Sequence, residues 1–227
     1  MISCINLLGG NNMNQTQDFT KGVIWKQLLF FFFPILIGSF FQQLYNTVDT
    51  IIVGQAVGTS ALAAVGSTGN LTSLIVNFYV GLSTGASVVI AQYYGAQNNK
   101  KIHQAVHTSY SLAIVSGILM MLFGLFFSYQ CLDAIGTPHD ILNDATLYMQ
   151  LYFLCMIPGA IYNIGAGILR AVGDSKRPLY YLIVCSIVNV VFDFIFVVIF
   201  HQGIAGAAIA TVIAQFVCAI LVTIQLM

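Results

Sequence analysis

The chain of 227 residues is 59% hydrophobic and only 6% charged, with a mean hydropathy of +0.90. A soluble domain carries about 25% charged residues, so this composition excludes a water-soluble fold. Seven basic residues balance seven aspartates, and this neutral balance gives no basic surface for binding nucleic acid.

The amino-terminal segment differs in composition from everything that follows it. Residues 1–20 are polar and rich in glycine and asparagine, without the apolar core or cleavage site of a secretory signal. We predict a disordered cytoplasmic tail over residues 1–20, with translation beginning at Met1 or at Met13.

Residues 21–227 contain long apolar segments. A helix needs about 20 mostly apolar residues to cross the roughly 30 Å hydrocarbon layer of a bilayer. Six segments meet this requirement, at about 25–54, 62–95, 103–127, 147–169, 179–200 and 204–227. The sequence therefore predicts an all-α membrane protein, a six-transmembrane-helix bundle. Pro34 predicts a bend in the first helix, because proline interrupts the hydrogen-bond ladder.

The basic residues predict the orientation of these spans. They form three clusters, at Lys21 and Lys26, at Lys100 and Lys101, and at Arg170, Lys176 and Arg177. With six spans, all three clusters fall on one side, which the positive-inside rule makes the cytoplasm. Both termini are then cytoplasmic in a multi-pass protein of the plasma (inner) membrane.

Several small residues within and between the spans indicate helix packing and helix ends, not a chemical role. Gly81 with Gly85, and Gly206 with Ala210, have the spacing of four that allows helices to pack closely. In the fourth connection, Gly173 suits a helix end, and Asp174 or Ser175 suits the cap of the next helix. The five cysteines lack CxxC spacing and are interpreted as small apolar fillers.

Two acidic residues, Asp49 and Asp193, lie within predicted spans. A carboxylate at the middle of the bilayer costs about 2.5–3.5 kcal/mol on insertion scales, so such residues usually face a cavity and mark function. Counting at about 1.5 Å per residue from the outer helix ends places Asp49, Asp193 and Thr211 at similar depths, about 8–14 Å below the surface. Asn189 lies four residues before Asp193 and shares its helical face.

These four residues predict a water-accessible polar pocket in the outer half of the membrane. Two carboxylates that meet there favour a proton, because protonation relieves their repulsion. Carboxylate, amide and hydroxyl oxygens would suit Na⁺ equally well. The alternative is that Asp49 lies at the headgroup level while Asn189 and a neighbouring helix satisfy Asp193.

The first span carries two further polar residues on the face that leads to Asp49. Gln42 and Asn46 either line a substrate path or form hydrogen bonds between helices. The chain has no catalytic triad, phosphate loop or HExxH motif, and no metal-ligand set beyond the possible Na⁺ site. The sequence therefore gives no basis for an enzyme.

Five stretches together resemble the multidrug and toxic compound extrusion (MATE) family of antiporters. They are LYNTVDTIIVG at 44–54, ALAAVG at 61–66, AQYYGA at 91–96, LRAVGDSKRP at 169–178 and GIAGAAIAT at 203–211. Their order and spacing carry the resemblance, which extends over nearly the whole chain.

The resemblance implies one lobe of a two-lobe, twelve-helix transporter, with the substrate cavity between the lobes. It implies coupling of export to H⁺ or Na⁺ through Asp49, Asn189, Asp193 and Thr211, a bend at Pro34, and no other cofactor. The implied partners are membrane lipid, a drug-like or cationic small molecule, and a carboxy-terminal lobe or a second copy. The chain is then the amino-terminal lobe, as a fragment, an interrupted gene or a half-transporter. A flippase for lipid-linked precursors and a non-transporting membrane fragment are the alternatives.

Overall fold

The structure is a computed structural model that describes residues 24–227. The predicted tail at residues 1–20, together with Lys21, lies outside the described residues. The helices are α1 (Ile24–Ala56), α2 (Thr59–Gly95), α3 (Asn99–Ala134), α4 (His139–Leu154), α5 (Met156–Ala171), α6 (Lys176–Asp193) and α7 (Gly203–Leu226). A π-helical turn, Phe194–Ile199, continues α6.

Six membrane crossings account for these helices. Five of the described spans are long and apolar enough to cross a membrane singly, and α4 with α5 makes a sixth that bends by 49°. The predicted all-α membrane fold is therefore confirmed. Large apolar side chains on α1 and α3 face outward, as expected where lipid rather than water is the solvent.

The bend between α4 and α5 was not predicted, since the sequence indicated only a single span at about 147–169. Pro158 has no N–H to donate to the carbonyl of Leu154, so the helical ladder is interrupted there. The backbone N–H of Cys155 donates instead to the carbonyl of Tyr152 at 3.1 Å, which tightens the turn. Pro158 is tolerated because it occupies the first turn of α5.

The crossings alternate, which gives the lobe two chemically distinct ends. The end with the connections at 96–98 and 172–175 carries the described lysines and arginines, and we call it the basic end. The end with connections at 57–58, 135–138 and 200–202 carries Asp133, Asp140 and Asp144, and we call it the acidic end. That the basic end faces the cytoplasm stays a prediction.

The connection between α5 and α6 has the predicted stop and restart. Gly173 has a φ of 90°, a conformation in which glycine is favoured. Asp174, rather than Ser175, caps α6: its Oδ1 accepts the backbone N–H groups of Lys176 at 3.2 Å and Arg177 at 3.1 Å. Its Oδ2 lies 3.2 Å from the Arg177 guanidinium.

Glycine allows helices to approach closely at some positions and leaves open space at others. A Cβ added to Gly117 of α3 would lie 2.8 Å from the Cα of Ile157, and one added to Gly206 would lie 3.0 Å from the Cβ of Phe196. At Gly81 and Gly85 an added Cβ would meet nothing within 4 Å. The prediction of close packing was therefore wrong for the pair at Gly81 and Gly85.

Two of the cysteines are not simple apolar fillers. Cys185 of α6 and Cys218 of α7 are joined by a disulfide, with their Cα atoms 5.9 Å apart. The pair forms because α6 and α7 pack along each other and bring both side chains to one level. A separation of 33 residues gives no signal of this in the sequence.

Candidate functional site

The site is built where α1 and α6 approach the acidic end. Asp49 lies seven residues before the end of α1 at Ala56, and Asp193 is the last residue of α6. At about 1.5 Å per residue, both carboxylates lie roughly 10 Å below the ends of their spans. The π-helical turn begins immediately after Asp193, and such turns often occur at functional sites.

The carboxylates of Asp49 and Asp193 lie close enough to share a hydrogen bond when one of them is protonated. Asp193 is completely buried, at 0% exposure. Neither of its carboxylate oxygens, nor Oδ1 of Asp49, has a hydrogen-bond partner among the described residues. Buried polar atoms are normally paired, so these oxygens are suited to a proton or a bound cation.

Asn189 and Thr211 complete the group from α6 and α7. The Asn189 amide Nδ2 donates to Thr211 Oγ1 at 3.4 Å, and Thr211 donates to the carbonyl of Ala207 at 3.1 Å. The amide oxygen of Asn189 is buried without a partner in the described chain. Asn189 therefore forms no hydrogen bond to Asp193, whose carboxylate lies beside that of Asp49. The depth of Asp49 in the membrane stays a prediction.

Asp49, Asn189 and Thr211 line one large cavity of about 930 Å³, whereas the completely buried Asp193 is not part of its wall. Six helices contribute to its wall, all of those described except α3. Pro34, Gln42 and Asn46 also line it, and the two amide side chains are exposed there. Neither amide forms a hydrogen bond to another helix within residues 24–227. Gln42 and Asn46 therefore bond no two of the described helices together, and substrate lining stays a prediction.

Sequence reasoning missed several side chains of this cavity. Tyr45 and Tyr148 lie within electrostatic range of both carboxylates, and Tyr148 stacks on Tyr152 with ring centroids 6.2 Å apart. Tyr45 belongs to the polar stretch of the first span, one turn before Asp49, whereas the α4 tyrosines gave no signal of the face they occupy. Arg170 also lines the cavity, although its position had indicated only the basic end.

The fold and the sequence agree with known proteins. The MatE family model matches residues 34–195. Two Bacillus subtilis proteins, probable multidrug resistance proteins YoeA and YpnP, are each 30% identical to the chain. The matches cover 88% and 87% of this chain and 44% of each relative. The chain thus spans about half the length of the curated relatives that it matches.

Solved structures give the same result. The crystal structure of MATE in the bent conformation matches with a TM-score of 0.83 at 26% identity, covering 97% of this chain and 46% of that one. An outward-facing multidrug resistance MATE family transporter matches with a TM-score of 0.82 at 28% identity, covering 87% and 44%. Sequence and structure together show that this chain, a lobe of six membrane crossings, belongs to the MatE family.

Proposed function

We propose that the chain is the amino-terminal lobe of an antiporter that exports amphipathic or cationic small molecules in exchange for H⁺ or Na⁺. The observation that carries this proposal is the unpartnered pair of carboxylates, of which Asp49 lines a large cavity and Asp193 is buried beside Asp49. The names of the relatives, which describe multidrug resistance, support export as the activity. The proposed location is the plasma (inner) membrane, with both termini cytoplasmic.

The carboxylate pair is suited to coupling because its two members lie on different helices. Without a cation, two negative charges repel each other across the contact between α1 and α6. A proton or Na⁺ removes this repulsion and favours the arrangement in which the helices are close. An ion drives a conformational change only by binding one state better than the other, and a carboxylate pair that closes on the ion provides that difference.

The cavity is open on one side of the lobe, which supports a partner there. Gln42 and Asn46 of α1 are exposed along this opening, and polar side chains at membrane depth are tolerated where they line a cavity or are covered by protein. Transporters built from structural repeats hold substrate at the interface between the repeats. We infer that a carboxy-terminal lobe, or a second copy of this chain, faces Gln42 and Asn46 across the cavity and encloses the substrate with them.

The flippase alternative is less well supported. A lipid-linked precursor carries phosphate groups, which call for several basic side chains along the cavity. Among the described residues, Arg170 is the only basic residue in its wall, and Asp49 is the only acidic one. A single basic side chain is a poor match for the phosphate groups of such a precursor.

Transport in vesicles tests the proposed function. The protein, expressed from its complete open reading frame, would be assayed in everted membrane vesicles for accumulation of a fluorescent organic cation under an imposed proton or Na⁺ gradient. We expect accumulation only with the coupling gradient, and its collapse when an ionophore removes that gradient. Accumulation that is the same with and without either gradient would contradict cation coupling.

Pro34 provides a prediction about the movement of α1. The described α1 is one helix that contains Pro34, whose missing N–H leaves a gap in the hydrogen-bond ladder near the cavity. We expect Pro34→Ala to restore that bond, stiffen the helix and lower the maximal export rate several-fold, with a smaller effect on substrate affinity. The control is Ile37→Ala on the same helix, and an unchanged rate for Pro34→Ala would exclude a hinge.

A further inference from the structure

A second large opening lies between α2 and α3, towards the basic end. It is a groove of about 820 Å³, and Ile164 of α5 forms its floor. Among the described residues, Asn77 alone lines both this groove and the large cavity. Its α2 wall contains Gly81 and Gly85, and its α3 wall runs from Lys101 to Leu112. Nothing in the proposed transport mechanism uses this groove.

The small residues of the α2 wall hold space open instead of closing a helix contact. A Cβ added to Gly81 or Gly85 meets no atom within 4 Å, whereas one added to Gly117 would press on the backbone of Ile157. Walls that face empty space lose their dispersion contacts. An apolar groove that is open between two membrane-crossing helices is therefore suited to a hydrocarbon chain.

One end of the groove carries a positive charge. The ammonium of Lys101 lies 5.3 Å from the centroid of the Tyr93 ring, and Lys101 forms no ion pair with a described carboxylate. Gln104 and Thr108 follow along the same wall. The remainder of the lining is largely apolar, so the groove combines a cationic mouth with an apolar body.

The dimensions match one leaflet of a bilayer. Lys101 and Leu112 are eleven residues apart, which is about 16 Å along the helix. One leaflet contributes half of the roughly 30 Å hydrocarbon layer. Lys101 lies in the first turn of α3. With Leu112 near the middle of the membrane, Lys101 is at the level of the lipid phosphates.

We propose that this groove binds an anionic phospholipid of the leaflet at the basic end, with its phosphate against Lys101 and one acyl chain along Gly81 and Gly85. Lysine binds phosphate as a point charge. The tyrosine ring and the Gln104 amide sit beside that charge, where they contact the headgroup. The inference is independent of the coupling ion and of the exported substrate.

Native mass spectrometry of the full-length protein tests this site, after reconstitution in vesicles of equal phosphatidylglycerol and phosphatidylcholine. We expect the protein to retain phosphatidylglycerol preferentially. Lys101→Gln should lower that preference about fivefold, as for one basic side chain at an anionic membrane surface. Lys100→Gln is the matched control, because Lys100 is exposed next to Lys101 but does not line the groove.

A second variant tests the proposed binding site for the acyl chain. Gly85→Leu starts a side chain in this open space, because an added Cβ there meets no atom within 4 Å. It should lower retention of both lipids while the protein remains monodisperse. Equal loss of preference in Lys100→Gln and Lys101→Gln would show general surface attraction and overturn the site. Unchanged retention in Gly85→Leu, or no retained lipid in the unsubstituted protein, would overturn it as well.

Discussion

Asp193→Asn is expected to abolish gradient-driven export by the complete transporter while leaving the protein inserted and folded. The amide keeps the size of the carboxylate, but it can neither take up a proton nor neutralise Na⁺. Since Asp193 is completely buried beside Asp49, its loss removes the charge repulsion that an ion relieves. Asp49→Asn should have nearly the same effect, because either substitution leaves a single carboxylate.

The measurement is export from vesicles under an imposed proton or Na⁺ gradient, with the amount of membrane-inserted protein determined in parallel. Asp133→Asn is the matched control, because Asp133 lies at the acidic end, outside the carboxylate pair and the cavity. Normal gradient-driven export by the Asp193→Asn protein would show that this carboxylate is structural and that coupling resides in another part of the transporter.

Gly117→Leu is expected to prevent the lobe from folding. A Cβ at this position already lies 2.8 Å from the Cα of Ile157, and backbone cannot move aside as a side chain can. Overpacking costs about 1–3 kcal/mol where side chains can adjust, and a contact with the backbone of α5 should exceed that range. The substitution would force α3 away from the bend at Cys155.

Thermal unfolding and size-exclusion chromatography in mild detergent measure this effect. Gly66→Leu is the control, because an added Cβ there meets nothing within 4 Å. Leucine is also a better helix former than glycine by up to about 1 kcal/mol, so the control should be unchanged or stabilised. A Gly117→Leu protein as stable as Gly66→Leu would mean that α3 and α5 do not meet at this glycine.

The sequence predicted the crossings and the meeting of Asp49 with Asp193 because both depend on one-dimensional quantities. Apolar length determines where the chain can cross lipid, and residue count from each helix end determines depth. Asp49 and Asp193 were placed at one level by counting alone, and the structure brings them together. Their role in coupling stays a prediction.

Other features depend on rotation about a helix axis, which counting does not determine. The spacing of Gly81 and Gly85 is the same whether a helix or a void lies opposite them. The pairing of Cys185 with Cys218 likewise depends on which faces α6 and α7 present to each other. Pro158 could have indicated the bend at Cys155, but proline in a membrane span does not by itself show whether the helix breaks.

The outward row of apolar side chains on α1 has a consequence for how the protein is made. Asp49 enters the membrane before α6 has been synthesised, so at that moment its carboxylate has no partner. Inserting that carboxylate costs about 2.5–3.5 kcal/mol. About eight leucine, isoleucine and phenylalanine side chains, each favouring insertion by roughly 0.3–0.6 kcal/mol, offset this cost. α1 presents such a row to lipid: Leu28, Leu29, Phe30, Phe32, Phe33, Leu36, Ile37 and Phe40. These side chains let one half of the proposed cation site enter the bilayer before the other half exists.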